Sequence, residues 1–211
     1  MNRQTRLLAS ALALGWTLMA SASAATLTVR VVDASGQPVA DVAVVVRSPG
    51  LAPRVSAMAP VEITQQGMRF VPAVSVVTPG TKVRFTNRDS FDHHVKGSQA
   101  QVFEYRIAGS DAGSTKPSSS PEVVIEGGPG PVTLGCLLHS RMQGSLYVTD
   151  SPWHGISGAD GSVQLANVPD GALQVVVWHP QQFIEQPAVP VQVSGATRLS
   201  VSLNFTPRAR R

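Results

Sequence analysis

Cysteine is nearly absent, with Cys136 the single one in 211 residues. An internal disulfide is excluded, and so is a structural zinc site of the cysteine-rich kind. Charged side chains are scarce at 14% and aromatic ones at 5%, while Val, Ala, Ser, Thr, Gly and Pro are plentiful. Few stretches have a helical pattern, so short β-strands joined by tight turns are the natural reading. No Ser-His-acid or paired-carboxylate motif is present, which removes hydrolase chemistry. Asp160-Gly161 offers one carboxylate in a turn, far from the six to eight oxygens that calcium takes. After the amino terminus no segment approaches the roughly 20 apolar residues of a membrane span.

Charge of either sign is also thin, with 17 basic against 13 acidic residues. Arg3 and Arg6 precede an apolar run from Leu7 to Ala20, and Ala22-Ser23-Ala24 follows as a small-residue cleavage signal. Residues 1–24 therefore read as a secretory signal peptide, leaving an exported, periplasmic chain that begins at Ala25 and has no membrane span. Without the leader the balance is 15 basic to 13 acidic. The remaining basic cluster, Arg208, Arg210 and Arg211, falls in a tail at 207–211, which reads as a solvated, frayed end. Such a distribution lacks the footprint of nucleic-acid binding.

Alternating residues at 26–33 and 39–47, separated by Ala34-Ser-Gly-Gln-Pro38, predict a β-hairpin. Strands follow at 61–64, 68–72, 74–77 and 82–86, then at 122–125, 132–134 and 145–148, with a Gly/Ser/Pro-rich loop at 109–121. Met68 is expected in the core. Beyond Asp150, turns at Asp160-Gly161 and Pro169-Asp-Gly171 separate further strands, and these are the expected partners of the amino-terminal hairpin, which is too small to bury a core alone.

One thiolate, one imidazole and one thioether are spaced three and three apart, as Cys136, His139 and Met142. With a second histidine they complete a soft donor set suited to copper in a trigonal site with a weak thioether contact. The plainer alternative is a buried thiol, a surface histidine and a core methionine. A free thiol in an oxidising compartment tends to be oxidised or paired, so ligation gives Cys136 a reason to persist. His93 and His94 compete for the remaining position, because adjacent residues on a strand point to opposite faces. His154 and His179, beside Trp153 and Trp178, read as packing at strand ends, with a docking or secondary metal role as the alternative.

The run Phe70-Val-Pro72, the segment Thr78-Pro-Gly-Thr-Lys-Val-Arg-Phe-Thr-Asn87, then Asp89, His93-His-Val95 and Cys136-x-x-His139-x-x-Met142-x-Gly144 resemble the cupredoxins, most closely the plastocyanin and amicyanin group. The resemblance implies a Greek-key β-sandwich over 60–150 holding one type 1 copper ion through His93, Cys136, His139 and Met142. His94 stands where that family usually has Asn, and is either a hydrogen-bonding neighbour of the site or an alternative ligand. Leu134 and Asp92 also depart from the family pattern. Val31-Val-Asp-Ala-Ser-Gly-Gln-Pro-Val-Ala-Asp-Val42 and Ala159-Asp-Gly-Ser-Val-Gln-Leu-Ala-Asn-Val-Pro-Asp-Gly171 resemble a carboxypeptidase-regulatory-like, prealbumin-like β-sandwich. Its two parts, 25–55 and 151–206, flank the first domain, which implies an insertion. Size and motif order are similar to cupredoxin-bearing exported proteins described as methylamine utilisation proteins.

The fold class expected is all-β. The implied function is single-electron transfer between periplasmic redox partner proteins, without enzymatic turnover, since no ligand position is left for substrate. The rival is a protein that binds and delivers copper. Multicopper enzymes need further histidine-rich motifs, which this chain lacks.

Overall fold

The computed structural model describes residues 24–50 and 55–208. The expected leader, apart from Ala24, lies outside the described residues, as do Arg210 and Arg211 of the tail. The protein is all-β, as its composition predicts, with no helix among the described residues and hence none long and apolar enough to cross a membrane.

Among the described residues, sixteen strands form four sheets. In chain order, β1 (Ala24–Val32) and β2 (Ala43–Arg47) come first. Then follow β3 (Val61–Gln65), β4 (Phe70–Val71), β5 (Val74–Val77), β6 (Lys82–Asn87), β7 (His93–Gln99), β8 (Phe103–Ile107), β9 (Val123–Val124), β10 (Gly130–Gly135) and β11 (Gln143–Val148). The last are β12 (His154–Ile156), β13 (Ser162–Pro169), β14 (Gly171–Trp178), β15 (Val189–Val193) and β16 (Ala196–Ser202). The central strands make a five-stranded sheet, β5-β11-β10-β7-β8, facing a four-stranded one, β4-β3-β6-β9. Ile63, Phe70, Phe85, Val95, Leu134 and Leu146 fill the space between. The remaining strands form β13-β1-β16 and β12-β2-β14-β15, around Leu27, Val29, Val44, Val46, Leu165 and Val175.

Unbroken valine runs show where the two sandwiches meet. Side chains alternate across a strand, so Val44 and Val46 of β2 enter one core while Ala43 and Val45 face the other way. Likewise Val175 and Val177 of β14 point into that core, and Val176 points out of it. These outward residues pack on Val76 of β5 and Tyr147 of β11, and the Tyr147 and Trp178 rings lie 5.4 Å apart. Strands buried on both faces lose the polar/apolar alternation of a half-exposed sheet.

Two expectations are corrected. β1 and β2 do not form a hairpin: β1 pairs with β13 and β16, whereas β2 pairs with β12 and β14. The chain turns back only as far as one antiparallel bridge, Val32 to Pro38, with the Val39 amide donating to the Val31 carbonyl at 3.0 Å. Val39 and Val42 are then both buried in the core between these sheets, so the chain crosses from one layer to the other. Met68 is not in the core but half exposed at 52%. Gly67 and Met68 both have positive φ, 58° and 55°, and Gln66 and Arg69 exchange backbone hydrogen bonds at 3.0 and 3.2 Å. This is the two-residue hairpin turn whose twist suits paired strands, and it puts the Met68 side chain at the tip.

Candidate metal centre

Two loops and one strand end build the site. β6 ends at Asn87, which is fully buried. Its Nδ2 donates to the carbonyls of Phe91 (2.8 Å), Ala108 (2.9 Å) and Ile107 (3.3 Å), and its Oδ1 accepts from the Asp89 amide at 2.9 Å. One amide thus ties down the 88–92 loop and delivers His93 to the start of β7. The second loop joins β10 to β11 and closes on itself: the Cys136 amide donates to the Met142 carbonyl (3.2 Å), and the Met142 amide to the His139 carbonyl (2.9 Å). Gly144 lets this loop pass close to β4, because a Cβ there would sit 3.0 Å from Phe70 Cβ.

His93, Cys136 and His139 converge, their ligand atoms all within 4.8 Å of one another. His93 is fully buried, Cys136 nearly so, and His139 reaches partial exposure. The His93 Nδ1 lies 3.1 Å from His139 Nδ1 and 3.9 Å from Cys136 Sγ, and His139 Nδ1 lies 3.5 Å from that sulfur. A triangle with these edges has its centre about 2 Å from every corner, close to metal–nitrogen bonds of about 2.0–2.1 Å and slightly inside metal–sulfur bonds of about 2.3 Å. Two imidazoles and one thiolate around such a point are donors for a first-row metal with affinity for sulfur. Met142 is buried at 1% in the same apolar cluster as Cys136.

Asp89 sets the proton on His93. Its Oδ2 accepts from His93 Nε2 at 2.7 Å and from the Met68 amide at 3.0 Å, while Oδ1 accepts from the Gly67 amide at 2.7 Å. Burial pushes this carboxyl up, but the hydrogen bonds from His93, Met68 and Gly67 outweigh it and hold Asp89 below the usual carboxylate range. An ionised carboxylate only accepts, so Nε2 carries the proton and the lone pair of Nδ1 is turned toward Cys136 and His139. The positive-φ turn at Gly67-Met68 supplies both amides.

His94 points its ring elsewhere. Its Nε2 lies 3.1 Å from Glu104, which also pairs with Lys96, and only its backbone amide serves the site, donating to Cys136 Sγ at 3.3 Å. That contact is made by the backbone, so it is available whatever side chain residue 94 carries. Phe91 packs edge-on against both His93 (5.1 Å) and His139 (5.3 Å). Phe91, Leu137 and Leu138 are exposed at 42%, 64% and 50%, leaving an apolar rim around the partly exposed His139. His154 and His179 lie apart from the cluster. The former contacts the Ser151 carbonyl at 2.8 Å, and the latter is buried against Phe205.

The parts that sequence reading missed are Asp89, Asn87 and Phe91 as supports of the histidines. The spacing of Asp89 four residues before His93 was the available signal, but the partnership needs the chain reversal that Asn87 enforces.

Fold and cluster together define an all-β protein with one histidine-cysteine-histidine centre able to hold a soft first-row metal. No family model matches the chain, and no curated protein matches its sequence. Among solved structures, it is similar to a purple cupredoxin from Nitrosopumilus maritimus at 20% identity, covering 42% of this chain and 99% of that one with a TM-score of 0.34. A reduced amicyanin variant aligns at 20% identity over 47% of this chain and 97% of its own, with a TM-score of 0.32. A pseudoazurin from Sinorhizobium aligns at 20% identity over 45% and 77%, with a TM-score of 0.34.

Proposed function

We propose that this chain is an exported type 1 copper protein that carries single electrons between periplasmic redox partners. It would hold one copper ion through His93 Nδ1, Cys136 Sγ and His139 Nδ1, with the Met142 thioether as a weak fourth contact. The convergence of one cysteine sulfur and two imidazole nitrogens on a common point carries the reading. Copper held there would cycle between Cu(I) and Cu(II), both of which accept a trigonal N2S set.

The chain's own groups limit rearrangement. Asp89 fixes the His93 ring, the Cys136–Met142 loop is closed by its own backbone, and the His94 amide holds the sulfur. Burial of Cys136 keeps water from the thiolate, and the partly exposed His139 within its apolar rim is the edge where a partner would approach. Cleavage after Ala24 would remove only the first residue of β1, opposite Pro169 of β13, and would leave Ala25 buried in the core. The separate cores of residues 61–148 and of the flanking strands support a metal-binding domain inserted in a second sandwich.

Purified protein given Cu(II) should acquire an intense thiolate-to-copper charge-transfer band and should be reduced and reoxidised reversibly. Cys136→Ser and His93→Ala should abolish the band, whereas His94→Ala should retain it because the His94 ring faces Glu104. A colourless complex, or a band indifferent to Cys136→Ser, would refute electron transfer at this site and leave copper binding and delivery as the role.

A further inference from the structure

A cleft of about 570 Å³ opens between the two sandwiches, beside the loop that carries Cys136 and Met142. Its walls include the tip and second strand of the 66–73 hairpin, the segment following Met142, and Trp178, Pro180 and Gln181 from the end of β14. A groove of about 710 Å³ continues from it, sharing Gln143, Pro180 and Gln181 and running on to Phe183, Phe205 and Arg208. The two form one trough across the boundary between the sandwiches.

The trough is cationic and apolar at once. Arg69 and Arg141 line the first half and are exposed, and neither makes an ion pair with any described residue. Asp41, the one acidic residue among the described residues of that wall, has a partner already. Arg208 lies in the second half, where Gln181 holds its backbone through two hydrogen bonds of 2.7 and 2.9 Å. That docking, rather than fraying, fixes Arg208 at the groove. Phe183 is completely exposed and Ile184 is 74% exposed, so large apolar side chains stand in water along the second half. Unpaired guanidiniums are weakly hydrated and match carboxylates in a fixed fork, while exposed apolar side chains concentrated along one groove mark an interaction site.

We propose that this trough is the docking site for an acidic, extended segment of a partner protein. Its carboxylates would meet Arg69 and Arg141 at one end and Arg208 at the other, with apolar side chains laid against Trp178, Pro180 and Phe183. A small organic anion could fill only the first half and would leave Phe183 and Arg208 unused. The length of the trough and its charges at both ends favour an extended chain. The proposal does not depend on which metal the centre holds.

The test uses the full exported chain, as purified and after chelation, titrated calorimetrically with the capped peptide Glu-Phe-Glu-Leu-Glu-Phe-Glu and with its all-Gln counterpart, while NMR follows the Trp178 indole. The acidic peptide should bind saturably, shift the Trp178 signal and weaken as salt is raised. Arg69→Glu, Arg141→Glu and Arg208→Glu should each weaken it about three- to ten-fold. Phe183→Ser should weaken binding as well, and Arg198→Glu, exposed on β16 away from the trough, should not. Absence of saturable binding overturns the proposal, as does equal binding of the all-Gln peptide. Sensitivity to Arg69 and Arg141 without sensitivity to Phe183 or Arg208 also overturns it, in favour of a small-anion site. Failure to bind copper would leave all these readouts unchanged, so the two readings fail separately.

Discussion

Replacing Asp89 with Asn probes the candidate metal centre without altering His93, Cys136 or His139 or the size of the side chain. The native carboxylate accepts three hydrogen bonds, from Gly67, Met68 and His93. An amide has only one oxygen. If that oxygen takes the place of Oδ2, the new NH2 group confronts the Gly67 amide, donor against donor. If it turns to serve Gly67, the NH2 group faces His93 Nε2 and can be accommodated only when Nε2 gives up its proton. The proton then belongs on Nδ1, the atom turned toward Cys136 and His139, and the ring presents the wrong tautomer. Hydrogen bonds to charged groups contribute about 1.5–3 kcal/mol, and loss of a carboxylate partner behind a histidine ligand typically costs 10–100-fold in metal affinity, about 1.4–2.7 kcal/mol. Asp89→Asn should therefore weaken copper binding by one to two orders of magnitude in a chelator competition. Nitrogen NMR of the metal-free variant should show the His93 proton redistributed toward Nδ1. An unchanged affinity together with an unchanged Nε2-protonated ring would refute the reasoning, since the carboxylate would then be a bystander.

Three further outcomes follow from other parts of the molecule. Gly109→Ala would place a Cβ 2.5 Å from the Ser90 carbonyl and 2.8 Å from the Phe91 nitrogen, so the backbone of the 88–92 loop must move. A loss of about 1–3 kcal/mol in urea unfolding, with an altered charge-transfer band, is expected, and a wild-type spectrum and midpoint would contradict it. The Asp33 carboxyl is held below its usual range by hydrogen bonds from the Ser35 hydroxyl and the Gln37 and Ser35 amides, against a smaller opposing effect of burial. A depressed folded-state value stabilises above the unfolded value of about 3.9, and that stabilisation disappears as pH falls through the folded value. Asp33→Asn should thus be less stable than wild type at pH 7, with the gap narrowing toward pH 3, and a gap independent of pH would exclude this origin. Residues 60–150 expressed alone should fold and give the charge-transfer band, because their core cluster draws only on Val61–Val148. Tyr147, whose phenol burial pushes up, should titrate closer to its ordinary value of about 10 in that fragment, and an unfolded fragment would count against an inserted domain.

What could be read directly from the chain was chemistry confined to a few consecutive residues. Cys136, His139 and Met142 lie within one loop, so their spacing alone brings their backbones together, and the small, β-branched composition predicts strands without any knowledge of partners. Pairing is different, because it is decided by residues far apart in sequence. The alternation at 26–33 and 39–47 suits a hairpin as well as two strands in facing sheets, and only the choice of β13 and β16 for β1, and of β12 and β14 for β2, decides between them. The same limit hid the support for His93. A period-two strand pattern places Met68 in a core, yet two consecutive residues of positive φ turn it outward and release two amides that no strand partner claims. Those amides anchor Asp89, and Asp89 orients His93, the histidine of the cluster whose ring is wholly buried. A turn that reads as a mere connection therefore has a chemical role, and substitutions that forbid positive φ at Met68 should weaken the metal centre across the Asp89 bridge even though the residue contributes no ligand atom.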